Sequence, residues 1–192
     1  MINERIDFPV YETIGGKKFM APSASAYHCD IVGQLYTKIN NYLLEKRCGF
    51  AFIDSLQVNL PDGNSPRPDL VVIKSDNMGI IKDKKTIHGV PDMVVEVLSR
   101  STMKRDLTVK KDSYEKCGVQ EYWIINPYME TVEVYLLQDG KYVMDNFYAK
   151  YPDYEWENMS DEEKAEAKFE IPVSIFEDLT VKIDDIFRWA DF

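Results

Sequence analysis

Two residues break the apolar patterns around them, a third opens a neighbouring strand, and their chemistries are complementary. In "PDMVVEVLSRST" (91–102), Glu96 stands inside an apolar run of Met93, Val94, Val95, Val97 and Leu98. A run apolar on both faces predicts a strand covered on both sides. An unpaired carboxylate buried there costs on the order of several kcal/mol, so it must be paired, protonated or bound to a metal. Downstream, Met103, Leu107, Lys110, Tyr114 and Cys117 recur at helical spacing. They predict the inward face of a helix, with Lys110 at its centre where an apolar residue is expected. Upstream, Asp69 opens the run "DLVVIK" directly after Pro68, whose missing N–H marks a strand start. Alternation places Asp69, Val71 and Ile73 on one face of their strand, and Asp92, Val94, Glu96 and Leu98 on one face of theirs.

Two arrangements satisfy these residues. In the first, Asp69 and Glu96 share a Mg²⁺ or Mn²⁺ ion with the main-chain carbonyl of Val97 and waters, an oxygen ligand set that suits such ions. A metal so held stabilises charge on a phosphoryl oxygen and lowers the pKa of its bound water. Lys110 then positions that water or stabilises the developing negative charge. In the second, Glu96 and Lys110 form a buried salt bridge, and Asp69 is a plain strand-start residue.

The elements that must position these groups can be read from spacing and punctuation. Ile31, Val32, Leu35, Ile39 and Leu43 predict a helix over 25–47, with Ser25 as cap and Gly49 just beyond. Strands are predicted over 50–60, 69–74 and 92–98, with a turn at 61–64 and a polar, Lys-rich loop over 75–90. A helix over 102–117, stopped by Gly118, precedes a strand at 121–125. "TVEVYLL" and "KYVMDNFY" flank "QDG" and predict a hairpin. An acidic helix over 159–169 and a short strand with a final helical turn close the chain. The order predicts an α/β core with a mixed sheet.

Composition bounds the function. The chain of 192 residues is 45% apolar and 29% charged, which fits one globular domain with a proper core over 1–192. No apolar run is long enough to span a membrane, and the N-terminus does not resemble a signal peptide. Three scattered cysteines favour reduced thiols in a cytoplasm. Residues 1–150 carry 20 acids against 19 bases, whereas 151–192 carry 13 against 4. The net charge of −10 thus belongs to an acidic C-terminal segment, and the body is nearly neutral. That argues against indiscriminate nucleic-acid binding but leaves room for a local basic surface.

"RPDLVVI" (67–73), "PDMVVEVLSRST" (91–102), "RDLTVKKDSYEKCGVQEYWIINP" (105–127) and "LTVKIDDIF" (179–187) resemble the Uma-type restriction endonucleases. That family is also called domain of unknown function 820, within the PD-(D/E)XK nuclease superfamily. "YETIGGKKFMAPSASAYHCDIVGQL" resembles its N-terminal hairpin and first helix. The resemblance implies a restriction-endonuclease-like α-β-β-β-α-β core, with N-terminal and C-terminal β-hairpin additions. It maps Asp69 and Glu96 onto the motif's acids. The superfamily's lysine would stand at Leu98, and in this family it maps onto the helix at Lys110. It also marks Glu12, as a further metal-site or water-binding acid, and His28, at a helix start where a structural role is commoner than a catalytic one. Asp92 and Asp106 are expected at a strand start and on a helix surface.

The function this implies is a metal-dependent endonuclease that hydrolyses DNA phosphodiester bonds, acting as a homodimer. The alternative is a non-catalytic dimeric interaction module on a degenerate nuclease fold.

Overall fold

The computed structural model describes residues 10–20, 23–53, 56–82 and 84–189. A hairpin of β1 (Tyr11–Ile14) and β2 (Lys17–Met20) precedes helix α1 (Ala26–Lys46). The Ser25 hydroxyl caps α1 by accepting from the His28 amide, as expected. Ile31, Leu35, Ile39 and Leu43 form its buried stripe. The helix ends at Arg47, in the left-handed region with φ 53°. Gly49 is not its cap. A side chain there would bring a Cβ to 2.4 Å from the Ile73 carbonyl, so glycine is required by the neighbouring strand.

Strands β3 (Gly49–Phe52) and β4 (Val58–Asn59) replace the single strand expected over 50–60, of which residues 54–55 lie outside the described set. β5 (Leu70–Lys74) follows. The segment 75–90 is not a plain loop: it holds a 3₁₀ turn (Ser75–Ile80), β6 (Ile81–Lys82) and β7 (Thr86–His88). β4, β6 and β7 form a small sheet of their own. Next come β8 (Met93–Val97), helix α2 over 103–117, β9 (Glu121–Asn126), β10 (Thr131–Gln138) and β11 (Lys141–Ala149). The acidic helix expected over 159–169 is Asp161–Glu166, started by a Ser160–Glu163 capping box, and a further short helix, Asp153–Asn158, precedes it. β12 (Glu170–Pro172) pairs with β13 (Thr180–Lys182), and a helical turn (Ile183–Ile186) closes the fold.

The central sheet runs β11-β10-β9-β8-β5-β3. Its neighbours are antiparallel except β8 and β9, which are parallel and joined by α2. This is the α-β-β-β-α-β order with a mixed sheet and added hairpins, as the sequence predicted. On one face Met93, Val95 and Val97 pack with α1; on the other Val94, Leu98, Val71 and Ile73 pack with Tyr114 of α2. No helix among the described residues is long and apolar enough to cross a membrane.

Candidate active site

The site forms where β5, β8 and α2 meet on the α2 side of the sheet. Asp69 sits just before β5. Its Oδ2 accepts from the Val97 amide at 2.7 Å, and its Oδ1 lies 3.0 Å from His28 Nε2 on α1. Asp69 is thus more than a strand-start residue: it ties β5 to the end of β8 and to α1. Glu96 projects from β8 and is 2% exposed. Lys110 Nζ lies 3.0 Å from both of its carboxylate oxygens, and the Tyr114 hydroxyl donates to Oε1 at 2.8 Å.

Lys110 gathers two further acids. Glu12 Oε2, from the N-terminal hairpin, is 3.2 Å away, and Asp106 Oδ1 is 3.0 Å away. Arg105 reaches Glu12 Oε1 at 3.2 Å and lies over the Phe19 ring, 4.4 Å from its centroid. The salt bridge weighed from sequence is therefore present, inside a larger cluster. Glu12, His28, Asp69, Glu96 and Lys110 all line one cavity of about 600 Å³, with Val97 beside them.

Asp106 was expected on the helix surface, yet it is 1% exposed, and Leu107, expected inward, is 37% exposed. The cause is a π turn over Asp106–Lys110 inside α2. Its wider turn adds one residue, so the inward position that a regular helix gives Leu107 falls to Asp106. The buried Tyr122 hydroxyl donates to the Asp106 carbonyl at 3.0 Å, satisfying backbone that the bulge displaces. Arg105 is one of the basic residues that the sequence places near the site, and its pairing with Glu12 has no signal there. Tyr114 stands in the predicted inward stripe, so its place was legible and its hydroxyl's partner was not. Asp92 is buried as a structural acceptor for the Lys74 amide and Asn77.

Glu12, Asp69, Glu96 and Asp106 are four carboxylates facing two permanent cations, Lys110 and Arg105. Burial, reinforced by Asp106 and Asp69, raises the Glu96 pKa well above its ordinary value, although Lys110 opposes this. Burial likewise raises Asp106. Burial disfavours the Lys110 charge, but Glu96, Asp106 and Glu12 outweigh it and hold the ammonium protonated. For His28, burial lowers the pKa, and the bond to Asp69 with its charge more than reverses that. Among the described residues no group of three or more His, Cys, Asp or Glu side chains forms a preassembled metal-ligand set. Lys110 stands among the acids instead.

A family model described as "Uma2: Putative restriction endonuclease" matches residues 7–173. Among solved structures, the chain is similar to one described as "a putative nuclease belonging to DUF820" from Anabaena variabilis ATCC 29413. The two are 23% identical, with 94% of this chain and 91% of that chain covered at a TM-score of 0.66. At that identity the likeness speaks for the fold, which is the restriction-endonuclease-like one expected. No curated protein matches. The family model spans most of the sequence, including the strands and helix that carry Asp69, Glu96 and Lys110, and the chain belongs to the Uma2 restriction endonuclease family.

Proposed function

We propose that this chain is a metal-dependent endonuclease hydrolysing DNA phosphodiester bonds. The observation that carries the proposal is the acid cluster of buried Glu12, Glu96 and Asp106 with part-buried Asp69, opening on a cavity. A divalent cation would oppose the burial that raises the Glu96 pKa and so favour its ionised form. The donors fit a hard cation, since Asp69 and Glu96 offer only carboxylate oxygens and each oxygen has two acceptor positions. Glu96 Oε2 has Lys110 as its hydrogen-bond partner, and each Asp69 oxygen has one. Nucleases of this fold generally use divalent metals. Asp69, Glu96 and the Val97 carbonyl would hold Mg²⁺ or Mn²⁺. Such an ion supplies charge stabilisation on a phosphoryl oxygen and a water of lowered pKa.

The chain's own groups set the geometry. Lys110 grips both oxygens of Glu96, and the Tyr114 hydroxyl donates to Oε1 of the same carboxylate. His28 and the Val97 amide fix Asp69. Glu12 occupies Lys110 and Arg105 together, so the hairpin closes the cluster. Release of Glu12 would open one side of Lys110 Nζ to the reacting water or the developing charge. We place the protein in the cytoplasm, where its three unpaired cysteines stay reduced. We take a homodimer as the working form, because a duplex presents two strands to cut.

A second reading, a non-catalytic dimeric interaction module, is favoured by one observation. Lys110 is enclosed by buried carboxylates, hydrogen-bonded to Glu96 and within 3.2 Å of Glu12 and 3.0 Å of Asp106, while Leu98 stands where the superfamily's lysine would. Supercoiled plasmid incubated with Mn²⁺ separates the two. The endonuclease nicks it, EDTA and Glu96→Gln each stop the nicking, and intact plasmid in every lane leaves the module.

A further inference from the structure

The cavity in front of Asp69 and Glu96 has walls that hydrolysis alone does not use. Its volume of about 600 Å³ lies in the range of pockets that enclose small molecules, roughly 300–1,000 Å³. Acids and Lys110 occupy part of the lining. Tyr27, Val32, Ile53, Leu98, Pro127 and Tyr128 supply much of the rest. A phosphate backbone is gripped by cations and N–H groups. The basic side chains that line the cavity are already engaged: Lys110 by three carboxylates, His28 by Asp69, and Arg67 by the Tyr11 carbonyl and Gln57 Oε1. The apolar walls remain for a substrate to fill, with the Ser23, Ser25, Ser99 and Thr102 hydroxyls beside them.

At the rim, Tyr128 is 56% exposed yet held in place. Asn126 Oδ1 accepts from the Tyr128 and Met129 amides at 3.0 and 3.3 Å, which fixes the turn between β9 and β10. The Tyr27 hydroxyl ties α1 to the same turn by donating to Glu130 Oε1 at 2.8 Å. The Arg100 guanidinium lies 5.7 Å from the Tyr128 ring centroid. An exposed aromatic ring on a fixed turn, with a cation over one face, leaves the other face for one flat apolar group that carries a neighbouring anion.

We propose that the cavity takes an unpaired nucleobase stacked on Tyr128, with Arg100 at an adjoining phosphate and the scissile phosphate towards Asp69 and Glu96. This rests on the nuclease reading and makes single-stranded, mismatched or flipped nucleotides the preferred substrate class. Stacking of this kind is indifferent to sequence, because every base has a π face. A base inside an intact duplex is already stacked and must be extruded, at a cost, to enter.

Fluorescence anisotropy in Ca²⁺ tests it with three labelled oligonucleotides: a single strand, a perfect duplex, and that duplex with a central unpaired bubble. The single strand and the bubble should bind about tenfold tighter than the duplex, the gain of roughly one stacked base. Tyr128→Ala should bring them within about twofold of the duplex, and Tyr128→Trp should keep the preference. Equal affinity for all three, no binding to any, or a preference that survives Tyr128→Ala would overturn the proposal. The two readings fail separately. Plasmid nicking in Mn²⁺ without a bubble preference removes the base pocket and keeps the nuclease; a bubble preference without nicking does the reverse.

Discussion

Lys110 Nζ lies 3.0 Å from each carboxylate oxygen of Glu96, and neither side chain is more than 3% exposed. A buried pair of this kind is costly to desolvate and costlier to break from one side. Lys110 is shared by Glu12, Glu96 and Asp106, whereas Glu96 has Lys110 as its ion-pair partner. The two residues should therefore respond differently to substitution.

Lys110→Met leaves three buried carboxylates without their common cation and should destabilise the fold by about 3–5 kcal/mol. Glu96→Gln leaves Lys110 with two acids and keeps an acceptor for Tyr114, so it should cost about 1–2 kcal/mol. Urea denaturation of both variants without metal checks the order. Equal losses would mean that Glu12 and Asp106 do not support Lys110.

The π turn predicts the side-chain register of α2. Leu107→Ala should cost less than about 1 kcal/mol, because that side chain is largely outside the core. Leu35→Ala, at a fully buried position of α1, should cost about 2–5 kcal/mol. A core-sized loss at Leu107 would restore the regular helix read from spacing.

Glu96 sets a pH dependence. Its folded pKa lies above the ordinary 4.5, so between those values the native cluster holds a proton that the unfolded chain releases. Stability from this group is full at low pH and falls as pH rises through that window. Urea melts of the metal-free protein from about pH 5 to pH 8 should show the decline, and Glu96→Gln should flatten it. Glu121 and Asp106, also raised by burial, and His28, where burial is outweighed by the bond to Asp69 that raises it, leave a residual slope in both proteins. Identical slopes in the two would remove Glu96 as the proton's holder.

The long elements are legible because their periods are long. β5 and β8 show as apolar runs, and α1 shows as a stripe from Ile31 to Leu43. β4, β6 and β7 are two or three residues each, too short for a period to register, and they arise from pairing across turns. Glu96 and Lys110 stand out because each violates an apolar pattern. Asp106 does not, since its burial depends on the extra residue in the π turn. The partnership of His28 with Asp69 spans 41 positions and is set by how α1 crosses the sheet. Glu12 comes into view through the family's pattern, because nothing local ties the hairpin to α2.

The central claim is that this acid cluster is completed by a divalent cation. Titration of Mn²⁺ into the metal-free protein, followed by calorimetry and by thermal melting of the same samples, tests it most directly. Wild type should bind about one ion per chain and melt higher with Mn²⁺, since a ligand selective for the native state stabilises it by mass action. Asp69→Asn and Glu96→Gln should lose both the binding heat and the shift. No binding heat in wild type, with melting temperatures that ignore Mn²⁺ in all three proteins, would contradict it.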